Sequence, residues 1–200
     1  MGRSAPPKAG RSALYFKALP NMFSSGKSLV LVIDVQGKLA SLMFEKEKTF
    51  KNIQGIIKAA RILDVPILWS EQLPQKIGST IPEIAHLLKD LKPIVKSSFS
   101  CCGEKKFLGA LYGLKRKQII IVGIETHVCV YQTVTDMVES KYEVQMVADA
   151  TSSRSLENKQ YGLERIKEVG GQITSTEMTI CELLKDAKDV RFKEILNLIK

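Results

Sequence analysis

Leu29-Val30-Leu31-Val32-Ile33 is an unbroken apolar run between Ser28 and Asp34. Strict alternation would leave one strand face in water. A continuous β-branched run asks for burial on both faces, as in the middle of a parallel sheet. Ile119-Ile120-Ile121-Val122 repeats the pattern, and Val65-Pro66-Ile67-Leu68-Trp69 approaches it, with Pro66 at the strand start where a missing N–H is tolerated. Pro93-Ile94-Val95, Glu143–Val147 and Gln172-Ile173-Thr174 complete six predicted strands. Between strands the period changes. Phe50, Ile53, Ile56, Ile57, Ala60 and Leu63 form a helical stripe. Further helices are expected over Pro82–Lys89, Glu104–Leu114, about Val130–Ser140, Ser155–Val169, Thr179–Lys185 and Val190–Ile199. Ser155 is a suitable cap and Gly170-Gly171 a stop. Residues 71–82 read as a loop.

Strands alternating with helices specify right-handed βαβ crossovers, hence an α/β fold with a parallel sheet covered on both faces. In such sheets ligands sit beyond the carboxyl ends of the strands. Three chemically capable residues fall there: Asp34 after the first strand, Lys96 after the third and Cys129 after the fourth. They are remote in sequence, yet the topology directs them to one place.

Composition narrows the role. The net charge of +9 resembles a nucleic-acid signature, but residues 1–27 hold five basic groups and no acid, while the other 173 residues carry 25 basic and 21 acidic groups. The body is therefore near balance, and nucleic acid is an unlikely main partner. No apolar run reaches the roughly 18–20 residues of a membrane span. Residues 1–27 are read as a basic, flexible extension, with an organelle presequence as the alternative, and residues 28–200 as the folded domain. Cys101, Cys102, Cys129 and Cys181 have no paired spacing, and His86 and His127 are the only histidines. A reducing, cytoplasmic setting is expected, with no metal and no cofactor. Cys181 reads as a core residue. Cys101 and Cys102 are read either as pocket or as packing residues. Gly26-Lys27-Ser28 echoes a phosphate-binding loop but lacks its first glycine and precedes a strand.

A thiol near a helix N-terminus has its pKa lowered and becomes a nucleophile. Asp34 is the candidate base and Lys96 the candidate charge partner for it, with backbone N–H groups before Cys129 ready to hold an oxyanion. His127 is the rival base. Two other readings compete with an enzyme: a non-catalytic scaffold, and nucleic-acid binding through the basic extension.

The stretches Leu31-Val32-Ile33-Asp34-Val35-Gln36, Val95-Lys96-Ser97-Ser98-Phe99-Ser100 and Val122-Gly123-Ile124-Glu125-Thr126-His127-Val128-Cys129-Val130 together resemble the isochorismatase-like cysteine hydrolases. The resemblance implies a three-layer, Rossmann-like sandwich with a six-stranded parallel sheet of order 3-2-1-4-5-6. It implies Cys129 as nucleophile, Asp34 as base and Lys96 as its partner. It also implies a cis peptide between Ile124 and Glu125 and an oxyanion hole from the N–H groups of Glu125 and Cys129. Gln36, Glu71, Phe99 and Ser100 are the expected pocket residues. Where nicotinamidases of this family carry metal-binding histidines, this chain reads Ser70-Glu71-Gln72-Leu73, so neither zinc nor nicotinamide is expected. The implied activity is hydrolysis of a small amide- or imide-type C–N bond by a homo-oligomer, a dimer or tetramer.

Overall fold

The computed structural model describes residues 21–199. Its centre is β1 (Ser28–Ile33), flanked by β2 (Ile67–Gln72) and β4 (Gln118–Ile124). β3 (Ile94–Lys96) lies outside β2, while β5 (Glu143–Ser152) and β6 (Gln172–Thr174) extend the other side. All pairs are parallel and the order is β3-β2-β1-β4-β5-β6, as expected.

The apolar runs explain the layering. Successive side chains on a strand point to opposite faces. Val30, Val32, Ile120 and Val122 enter one core with α2 (Lys46–Ile62), α8 (Thr176–Leu184) and α9 (Phe192–Leu196). Leu29, Leu31, Ile33, Ile119 and Ile121 enter the other with α5 (Lys105–Leu114), α6 (Tyr131–Glu139) and α7 (Leu156–Glu168). β1 and β4 are buried at every position. Only a sheet covered on both sides uses these nine apolar positions in two unbroken runs without exposing any of them.

Several boundaries differ from the sequence reading. β5 runs on past Val147 to Ser152. The Pro82–Lys89 helix is α4 (Pro82–Ala85) followed by a 3₁₀ turn at His86–Leu88. Single-turn helices α1 (Gly37–Ser41) and α3 (Pro74–Ile77) occupy stretches without helical periodicity, which one turn is too short to display. α8 starts earlier than predicted because Ser175 caps it, accepting from the Met178 N–H. Cys181 is exposed rather than core: Ile180, Leu183 and Leu184 take the inward stripe of α8 and leave position 181 facing solvent. Residues 21–27 are packed onto the body. Phe23 is fully buried, and the Ser24 N–H donates to Gln118 Oε1 at 2.9 Å. The rest of the basic extension lies outside the described residues. No helix among those described is long and apolar enough to cross a membrane.

One backbone position sets how closely β1 and β4 approach. Gly123 has φ +120°, and a Cβ there would stand 2.1 Å from the Ile33 carbonyl oxygen. Both the conformation and the space require glycine. Gly123→Ala is expected to destabilise the protein by about 2–4 kcal/mol, through left-handed strain and separation of the central strands. A urea titration checks this; a midpoint within error of the parent would mean that the strands part without cost.

Candidate active site

The carboxyl ends of β1, β2, β3 and β4 bring one residue each to a common point. The strand order reverses between β1 and β4, which leaves the crevice that open α/β sheets use for ligands. Asp34 follows β1 with φ 50°, a left-handed conformation that costs an L-residue about 1–2 kcal/mol. The turn is closed by the Gln36 N–H donating to the Asp34 carbonyl at 2.8 Å. Lys96 ends β3. Cys129 follows β4 across the Ile124–Glu125 peptide, which is cis.

Cys129 does not sit simply at the mouth of a helix. Thr126–Val130 forms a π-helical turn that runs into α6. The Val128 and Val130 N–H groups both donate to the Glu125 carbonyl, at 3.1 and 3.2 Å. α7 presses on this turn at Gly162, where a Cβ would meet His127 N at 2.8 Å. The nucleophile candidate is thus held between a strand end and a helix that comes within backbone contact.

The three residues converge. Lys96 Nζ lies 2.6 Å from Asp34 Oδ2, with the two side chains 1% and 3% exposed. This contact is ionic and misses hydrogen-bond angles, so Oδ2 has no hydrogen-bond partner. The ammonium aims its donors at Gln72 Oε1 (3.2 Å), Ser98 O (3.1 Å) and Phe99 O (3.0 Å). Asp34 Oδ1 accepts from Ser70 Oγ at 2.7 Å, and Ser70 Oγ in turn accepts from Cys101 Sγ at 3.6 Å. The Cys129 thiol donates to Gln72 Oε1 at 3.3 Å and stands close enough to Asp34 to feel its charge.

The thiol's electrostatics reverse the expected sign. Burial, then the Asp34 carboxylate, push the Cys129 pKa up to about 12, against the smaller opposing pull of Lys96. Sequence reasoning placed the thiol at a helix N-terminus that lowers its pKa, and had no access to its desolvation. Both effects favour the neutral thiol over the thiolate. Cys101, fully buried beside the same pair, is also pushed up to about 12, chiefly by desolvation.

A cavity of about 230 Å³ opens onto Cys129. Asp34, Gln72, Lys76, Glu125 and Cys129 supply its polar groups, and Leu39, Leu73, Ile77, Phe99, Ile124 and Val128 its apolar wall. Of the expected pocket residues, Phe99 lines it. Gln36, Glu71 and Ser100 do not, because their polar atoms are engaged elsewhere. Gln36 Nε2 donates to Gln72 O at 3.2 Å and to Gly78 O at 2.6 Å. Glu71 Oε1 accepts from Thr80 N and Oγ1 at 2.7 and 2.8 Å. Ser100 Oγ donates to Asp136 at 2.5 Å. His127, the rival base, turns away to Ser153, with Nδ1 2.9 Å from Oγ. Gln72 and Ser70 are the site residues that sequence reasoning missed. Their only signal was position, at the end of β2 facing Asp34. Among the described residues no cluster of three His, Cys, Asp or Glu side chains gathers to hold a metal.

The family model for the isochorismatase domain matches residues 28–178. Isochorismatase domain-containing protein 2 of Danio rerio is 35% identical over 176 residues, covering 88% of each chain. Among solved structures, the MAR1 ribonuclease of Caenorhabditis elegans superposes with a TM-score of 0.83 at 34% identity, covering 90% of this chain and 92% of that one. The Escherichia coli YcaC gene product, described as an octameric hydrolase of unknown specificity, superposes with a TM-score of 0.81 at 22% identity, over 89% and 94% of the two chains. With its domain matched over most of its length and its sheet order shared, this chain belongs to the isochorismatase family.

Proposed function

We propose that this protein is a cysteine hydrolase that cleaves a small amide- or imide-type C–N bond through Cys129, Asp34 and Lys96. The observation that carries the reading is the buried Asp34–Lys96 pair beside the Cys129 thiol, with Asp34 and Cys129 lining a cavity at the strand ends. Burial and the Asp34 charge both favour the neutral thiol, so little preformed thiolate is expected. Proton loss must accompany attack, which makes Asp34 a general base.

The course is as follows. Sγ bonds to the carbonyl carbon as the thiol proton passes to Asp34, and the carbonyl π electrons move onto oxygen. The N–H groups of Glu125 and Cys129, both lining the cavity, hold that oxyanion, a contribution of about 3–4 kcal/mol per donor in known cases. Collapse reforms the carbonyl and breaks C–N, and Asp34 returns its proton to the departing nitrogen. Water then attacks the thioester and gives Asp34 a proton. The second collapse releases the acid and reprotonates Sγ. Lys96 keeps Asp34 anchored while its charge changes.

The size of the cavity and its apolar wall favour a small molecule over a polynucleotide. Lys76 is the only basic residue on its lining, so the ribonuclease description of the worm relative finds little to hold a phosphate backbone here. Assembly into a homo-oligomer is part of the same reading, supported by the octameric state described for YcaC.

Cys129→Ala is expected to abolish hydrolysis across a panel of small amides and imides while keeping the parent's thermal melting temperature. A mass increase matching the acyl group, confined to Cys129 after a quench, supports the covalent course; full turnover by the alanine variant refutes it. Asp34→Asn should reduce kcat/KM by about 10²–10⁴-fold. In the empty enzyme, iodoacetamide at pH 7.5 should label the exposed Cys181 well before Cys129, whose rate should still be climbing at about pH 10. Because the Asp34 charge raises the thiol pKa, Asp34→Asn should shift the Cys129 labelling curve to lower pH even as turnover falls. An upward shift in mass-resolved labelling would mean that Asp34 does not face the thiol as carboxylate.

A further inference from the structure

We infer that Gln72 is a positioning residue that latches the resting nucleophile, holding the Cys129 proton on a neutral acceptor and away from Asp34 until substrate enters. The inference rests on the reading of Cys129 as nucleophile and adds a role for a residue outside the triad.

The geometry is specific. Gln72 Oε1 accepts from both Cys129 Sγ (3.3 Å) and Lys96 Nζ (3.2 Å). Gln72 Nε2 donates to Ser97 O at 3.3 Å. The amide orientation follows from chemistry: the ammonium has no acceptor and the Ser97 carbonyl no donor, so oxygen must face Lys96 and nitrogen Ser97. The backbone of Gln72 is clamped as well. Its N–H donates to Gln36 Oε1 at 2.6 Å, its carbonyl accepts from Gln36 Nε2, and Gln36 is fully buried. The side chain that touches both Lys96 and Cys129 therefore hangs from a fixed point on β2, beside Lys96 in the register with β3.

A thiol has one proton, and two acceptors lie around it. An amide oxygen cannot take that proton at any accessible pH, whereas a carboxylate can. A hydrogen bond made by the neutral form stabilises it against the ion, so the Gln72 bond keeps the thiol a thiol. The same oxygen occupies one Lys96 donor that would otherwise turn to Asp34 Oδ2, the atom left without a hydrogen-bond partner. Gln72 also lines the cavity. A ligand that displaces its oxygen breaks both bonds at once, releasing the S–H toward Asp34 and a Lys96 donor toward the same carboxylate. Occupancy and activation become one event, and the thiol stays unreactive in the empty site.

The test compares Gln72→Met with Gln72→Glu in the full-length protein, reading the pH profile of iodoacetamide labelling at Cys129 with Cys181 as internal reference. Methionine removes the amide acceptor at similar length, so labelling at pH 7.5 should be about tenfold faster, a midpoint about one unit lower. Glutamate puts a second negative charge against the thiol, so labelling should be several-fold slower. A residue that merely shaped the site would move both variants in the same direction. Same-direction shifts, or two profiles matching the parent, overturn the inference. Thermal melting confirms the fold, and Gln72→Leu replaces the methionine variant if that one is unstable. The readout needs no substrate, so it stands apart from the turnover of Cys129→Ala that tests the hydrolase reading.

Discussion

A single ion pair organises this molecule. Asp34 and Lys96 are taken out of water, and their attraction does not by itself repay the desolvation. What makes the arrangement tenable is the number of dipoles around it: three oxygens on the Lys96 ammonium, and the Ser70 hydroxyl on Asp34. Each of those partners is delivered by a strand end or the loop that follows it. The pair therefore depends on the order β3-β2-β1-β4, and removing either partner leaves a charge stranded in the core.

The pair also governs the thiol. Desolvation pushes Cys129 toward its neutral form, and the nearby carboxylate pushes it the same way. Lys96 opposes both but is occupied by its own partners. An active-site cysteine is commonly thought of as an activated thiolate. Here the balance of burial, carboxylate and ammonium favours the neutral thiol beside Asp34. In the proposed mechanism deprotonation is therefore coupled to bond formation, because only a bound electrophile makes the transfer favourable.

The fold was legible because burial on two faces leaves an unmistakable mark. Leu29–Ile33 and Ile119–Val122 have no polar position to confuse the period, and they are the two central strands. The triad candidates were legible for a topological reason: Asp34, Lys96 and Cys129 each stand at a strand end, and parallel strands end on one side. What could not be read was anything decided by side-chain partners. Gln36 and Ser100 look like pocket residues by sequence position, yet their polar atoms are engaged with loop carbonyls and Asp136. Cys181 has the composition of a core residue on an amphipathic helix, and only the helix's rotation turns it outward. The sign of the Cys129 shift was likewise invisible, since helix position is local in sequence and desolvation is not.

The site residues that sequence reasoning overlooked share a feature. Ser70 and Gln72 alternate along β2 and therefore point to the same side of the strand. One meets Asp34 and the other meets Lys96 and Cys129. The groups on this strand face are a hydroxyl and an amide, both neutral at any ordinary pH. The hydroxyl fixes Asp34 by donating to Oδ1, and the amide, by accepting from Cys129, favours the S–H form of the thiol. One face of β2 therefore holds both Asp34 and the thiol through neutral partners, which orient the two groups without adding a charge that would ionise the thiol.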